Sequence, residues 1–228
     1  MGTALACLLV LPAAAQAPCS GEPRLHANGA IPDTPETLRG IPRTPTYRAF
    51  LPDHVDLSSY FPRPGDQGAK GSCVGWAVGY AAPAYYAEWA ENRDVNNARN
   101  IPSPAYIYDL IKQVGSCNTG SKISAALDLL KTGAASLAEY PYSPRFCSPP
   151  PESLRASATD FRIDNWELVD IHNIDQIKAE LYKKNPVIIS LHDSASFDRL
   201  KAGQRIRIAT TVGTRSRWSN AARVADQE

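Results

Sequence analysis

From Cys73 to about Asn92 the chain is rich in Ala, Val, Trp and Tyr and apolar on most faces, a pattern that predicts a buried helix with Ser72 as its N-cap. Pro83 removes a backbone donor inside that run and predicts a kink or a division of the helix into two. A second helix is predicted at "SPAYIYDLIKQV", with Ser103 as cap and Pro104 at the first helical position. A third follows in "GSKISAALDLLKTGA", stopped by Gly133. Beyond the proline-rich "YPYSPRFCSPPPES" the periodicity changes. "FRIDNWELVDI" reads as a weak strand, "IDQIKAELYKK" as an amphipathic helix and "PVIISLH" as a continuous apolar strand. Helices first and strands later predict an α+β chain of two lobes, and no internal repeat is visible.

Two N-terminal stretches break this pattern. Residues 18 to 48 carry six prolines and few large apolar side chains, so they bury too little surface to offset the entropy of ordering. The segment 16–48 reads as a linker or short pro-segment, and the folded unit is expected to begin near Phe50. Before it, "MGTALACLLVLPAAAQA" is apolar and ends in small residues, as a secretory signal does, with Ala13 and Ala15 placed before a cut near Gln16. A charged n-region is missing from it, and an apolar N-terminal arm is the alternative reading of 1–15.

Charge narrows the choice of partners. The 24 Lys and Arg balance 23 Asp and Glu, which gives no reason to expect nucleic acid or an anionic membrane. No run is long and apolar enough to predict a membrane span. The chain has 5 cysteines, of which Cys7 would leave with a signal. Cys117 and Cys147 lie in loop-like sequence on either side of a predicted helix, so a bridge between them would close a loop in an oxidising compartment; two unpaired surface thiols are the alternative. Cys19 is then a spare in the N-terminal arm.

The candidate chemistry sits in "DQGAKGSCVGWA". A thiol attacks as thiolate, helped by the positive end of a helix, a nearby imidazolium and a donor for the oxyanion formed on the substrate. Cys73 stands at a predicted helix N-terminus, and the Gln67 amide, across a turn eased by Gly68 and Gly71, can aim a donor at the same spot. The alternative is a buried structural thiol beside a turn glutamine.

Gln67, Gly68, Gly71, Ser72 and Cys73 reproduce a QGxxGSC arrangement that resembles the papain family of cysteine peptidases. The resemblance runs over roughly residues 50 to 203. It includes "VDLSSYFP", "IPSPAYIYDL", "GSKISAALDLLKTGAASLAEYPYSP" and "NPVIISLHDSASFDRLKAG", and it is closer to bacterial members than to papain. Where the family places a tryptophan after the nucleophile, this chain has Val74, with Trp76 two residues later. The resemblance implies a helical lobe and a β-lobe. It implies Cys73 as nucleophile and Gln67, with the Cys73 amide, as oxyanion donor. A peptide or protein substrate, a monomer and a secreted or periplasmic site follow, with no metal or cofactor.

The same resemblance implies a histidine and an asparagine roughly 130 to 150 residues after the cysteine. That window, residues 203 to 223, holds Asn220 and no histidine. Instead Arg205, Arg207, Arg215, Arg217 and Arg223 interrupt every apolar run, so 204–228 reads as an unrelated basic tail that supplies no β-lobe core. A shifted reading frame or premature end in the gene after residue 203 is the expectation, and a natural basic tail the competing one. Of the other histidines, His192 aligns with an ordinary family position, His172 precedes a helix, and His26 and His54 lie upstream. The chain is therefore expected to be a cysteine-type peptidase by ancestry that lacks its base. A secreted binding or regulatory protein on the same scaffold is the second reading. A disulfide-bearing surface module with Cys73 bridged is the third.

Overall fold

Ser103 turns the chain into a helix by accepting the Tyr106 N–H, and Pro104 follows at a position whose amide needs no partner. This helix, α3 (Pro104–Ile111), is one of three that form the helical lobe in the computed structural model, which describes residues 28–46, 50–191 and 221–224. The signal reading at 1–15, Cys19, His26, His192 and Asn220 lie outside the described residues, as does the tail apart from 221–224.

The helix that carries Cys73 starts at that residue, passes through a wide π-helical stretch, Gly75–Ala81, and continues as α2 (Ala82–Trp89). Pro83 neither breaks nor divides it. The missing proline amide falls in the first turn after the π segment, where the looser i→i+5 pattern absorbs the irregularity. The helix ends at Trp89 rather than near Asn92, because Asn92 adopts φ 54° and the Arg93 N–H turns back to Ala87 O at 2.9 Å. Ser72 stands at the cap position, its carbonyl accepting the Trp76 N–H at 3.1 Å, but its hydroxyl does not cap the helix and meets Tyr142 Oη at 2.6 Å instead.

Val74, Val78 and Ala82 face Tyr106 and Ile107 of α3 and Ile123, Ala126, Leu127 and Leu130 of α4 (Ile123–Leu130) in one core. Gly133, at φ 108°, ends the α4 region as its sequence position predicts. The same core continues through Ile163, Trp166 and Leu168 to Ile188, so the lobes share one apolar interior. Polar links cross the junction as well. Trp166 Nε1 donates to Asp128 Oδ1 at 3.0 Å, and the Tyr85 hydroxyl donates to Lys184 O at 2.8 Å.

The second half supplies α5 (Glu152–Ser157), β3 (Trp166–Val169), α6 (Ile174–Tyr182) and β4 (Val187–Ile189), matching the sequence reading of strand, helix and strand. The tail adds a strand that its interrupted hydropathy does not predict. β5 (Ala221–Val224) lies between β3 and β4, antiparallel to both. A strand held by backbone hydrogen bonds needs no apolar run, and arginines therefore do not forbid it. Ile188 is buried, while Ile189 and Leu191 stay exposed.

Residues 28–46, expected to lie outside the folded unit, pack against it. β1 (Ala30–Ile31) pairs in parallel with β2 (Ser121–Lys122), and α1 (Pro35–Arg39) follows with Thr34 as cap. The Asp33 carboxylate accepts from both the backbone and hydroxyl of Ser124, and Pro42 O accepts the Leu168 N–H at 2.8 Å. Backbone pairing and buried polar anchors hold this segment where apolar side chains are few.

Cys117 and Cys147 are joined, with Cα atoms 5.4 Å apart, across a sequence separation of 30. Closing a loop of that length restricts the unfolded chain by about 3.5 kcal/mol in the chain-entropy account. Replacing both cysteines with alanine is expected to lower the urea-derived unfolding free energy by about that amount.

Candidate active site

Gln67 and Cys73 frame a single turn. Gly68 takes φ 58°, which a side chain would resist, and so folds the turn back on itself. Gln67 Nε2 donates to Lys70 O at 3.3 Å, and the Gln67 carbonyl accepts the Tyr142 hydroxyl at 2.9 Å. Tyr142 therefore grips both shoulders of the turn, Gln67 on one side and Ser72 on the other. The Gly71 N–H donates to Cys117 O at 3.3 Å, tying the turn to the disulfide.

Cys73 is a free, half-buried thiol, which removes the reading in which it is bridged. Burial pushes the thiol above its ordinary value, and the backbone amides of Gly29, Val74, Cys73 and Ala30 pull it the other way. Two of those amides come from the N-terminal segment. It lies over the sulfur, fixed by Gly29 O accepting the Ser121 N–H at 2.8 Å. Gly29 is pressed so closely against the turn that a Cβ there would fall 1.8 Å from Gly71 O. Sequence reasoning missed this contact, and the only local signal was a glycine in a proline-rich stretch.

Lys70 was also missed. Midway along the turn its side chain points inward and is fully buried, with Nζ 2.6 Å from Asp109 Oδ1 of α3. It also donates to Phe146 O at 3.0 Å and lies 5.2 Å from the ring centres of Tyr108 and Tyr142. Burial raises the Asp109 carboxyl above the usual range against the pull of Lys70, and burial together with Asp109 pushes the Tyr140 phenol well above its own. His54 and His172 are exposed, and the His172 N–H closes a turn on Asp170 Oδ1 at 2.9 Å. Among the described residues no helix is long and apolar enough to cross a membrane.

No family model matches the chain. A cysteine protease of Blomia tropicalis is 24% identical over 136 residues, which cover 58% of this chain and 40% of that protein, so the chain spans well under half of that relative's length. Among solved structures, xylellain, a cysteine protease from Xylella fastidiosa, superposes with a TM-score of 0.59 at 25% identity, covering 75% of this chain and 68% of that one. In sequence and fold, the described part of this chain is thus similar to papain-like cysteine peptidases.

Proposed function

We propose that the chain carries the nucleophile half of a cysteine peptidase site, held in check by its own N-terminal segment. Cys73 adds to the scissile carbonyl carbon of a peptide, and the Gln67 amide with the Cys73 backbone N–H receives the oxyanion. Breaking the carbon–nitrogen bond then requires a proton on the departing amine. No histidine stands in residues 203 to 223 to deliver it. The adduct therefore collapses backward, because a thiolate leaves far more readily than an amide anion. The observation that carries this reading is a free cysteine at the first turn of a buried helix, on one tight turn with Gln67.

Residues 28–31 act as the covering part of a short pro-segment that spans 16–48. Their amides reach the sulfur and draw the thiol's pKa down, while burial, the larger influence, raises it above its ordinary value. The same reading takes residues 1–15 as an export signal and the mature protein as a secreted or periplasmic monomer acting on peptides, in keeping with the Cys117–Cys147 bridge.

The purified 228-residue chain is expected to hydrolyse a peptidyl amide at the background rate, and a peptide aldehyde is expected to form a reversible hemithioacetal that Cys73→Ala abolishes. Turnover of the amide that disappears with Cys73→Ala would overturn the assignment of a crippled site. Absence of any Cys73-dependent adduct in a folded chain with the N-terminal segment displaced would overturn the site itself, leaving the non-catalytic binding scaffold.

A further inference from the structure

The Gln67–Cys73 turn is poor in side chains that could anchor it, since Gly68 and Gly71 have none and Ala69 is exposed. Its one long inward side chain is Lys70, and a buried ammonium is a costly anchor unless it has a charge partner and further acceptors. It has both. Asp109 supplies the charge at 2.6 Å, Phe146 O a second acceptor at 3.0 Å, and the faces of Tyr108 and Tyr142 close the remaining sides.

These partners are the groups that hold the rest of the site. Tyr142 binds Gln67 O and Ser72 Oγ. The Tyr108 hydroxyl donates to Cys117 O at 2.8 Å and accepts the Gly120 N–H at 3.2 Å, while Cys117 O also receives the Gly71 N–H. Asp109 is held from behind by the Tyr140 hydroxyl, 3.2 Å from Oδ2. One ammonium thus joins the nucleophile turn, α3 and the segment that ends at Cys147. An apolar side chain would fill the same space without fixing direction, whereas an ion pair with a second acceptor admits one placement.

We propose that Lys70 and Asp109 are positioning residues: their buried ion pair sets the Gln67–Cys73 turn at the height and angle at which its donors meet an oxyanion. This rests on the peptidase reading above. Lys70 does not act by tuning the sulfur, since the influences on the thiol are burial and backbone amides, and its charge is matched by Asp109. Loss of the pair therefore weakens oxyanion binding and leaves simple thiol reactivity alone.

The test compares the full chain with its Lys70→Met/Asp109→Leu variant, which removes both charges and keeps the volume filled, each carrying Gly29→Ala to displace the segment over the sulfur. Two quantities are read on each: the dissociation constant of a carbonyl-¹³C peptide aldehyde, followed by the hemithioacetal carbon resonance, and the pH profile of Cys73 alkylation by iodoacetamide. The expected result is aldehyde binding at least about tenfold weaker with the alkylation profile unmoved, since a tenfold loss is the order of one oxyanion interaction disturbed. Equal aldehyde affinity in the two proteins overturns the positioning role alone. A parent that forms no adduct while its thiol alkylates removes the peptidase reading, and the inference with it. Should the double variant fail to melt cooperatively, Asp109→Asn, which keeps shape and hydrogen bonding, is read in its place against the same two outcomes.

Discussion

Replacing Gly29 with alanine is expected to raise the rate at which iodoacetamide labels Cys73 at pH 7 by about tenfold or more. The added methyl carbon would stand 1.8 Å from Gly71 O, a backbone atom that has nowhere to go, so the segment must lift away. Lifting it removes two opposing influences on the thiol, the burial that raises its pKa and the Gly29 and Ala30 amides that lower it. Burial is the larger. Uncovering the sulfur also gives the reagent access to it, and each pKa unit by which the midpoint falls adds a tenfold rise in thiolate on the acid side of the midpoint. Gly40→Ala is the control, since nothing lies within 4 Å of the Cβ it would add. Mass spectrometry of the labelled peptides separates Cys73 from Cys7 and Cys19. An unchanged Cys73 rate in a folded Gly29→Ala chain would show that the segment does not shield the sulfur.

Breaking the ion pair from one side should cost far more than removing it whole. Lys70→Met leaves the Asp109 carboxylate buried without its counter-charge, an arrangement that costs about 3–5 kcal/mol, whereas Lys70→Met/Asp109→Leu should recover most of that. For a domain of this size the single variant loses roughly 10 °C in melting temperature. Its pH dependence has a definite sign. Asp109 is already raised by burial, and without Lys70 it rises further. A carboxyl whose folded-state pKa lies above its unfolded one contributes stability below the unfolded value and loses it as pH rises through the folded value. The deficit of Lys70→Met relative to the parent should therefore shrink as pH falls toward about 4, where Asp109 can be buried neutral. A single and a double variant equally destabilised at every pH would trace the loss to packing.

What the sequence made legible were features set by neighbours along the chain. The cap and proline of α3, the glycine after α4, the apolar strand at Val187 and the turn between Gln67 and Cys73 each depend on a handful of consecutive residues. What stayed hidden depends on distant partners. Ser72 has the sequence of a helix cap, yet the Tyr142 hydroxyl, 70 residues away, takes its oxygen. Lys70 looks like solvent-facing charge until Asp109 and two tyrosine rings close around it. The segment at 28–46 lacked hydropathic pattern because it binds through its backbone and through Asp33, and neither leaves a periodic trace.

Trp76 has a use that follows from its neighbours. Its ring lies 4.8 Å from those of Tyr80 and Tyr142, and a Cβ on Gly65 would meet it at 2.3 Å. The indole thus rests on the same phenol that clasps Gln67 and Ser72, so a shift of that phenol alters the quenching of its emission. With 4 tryptophans in the chain, changing the other three to phenylalanine would leave a single optical reporter on the phenol that clasps the turn, able to register arrival of a ligand without any attached dye.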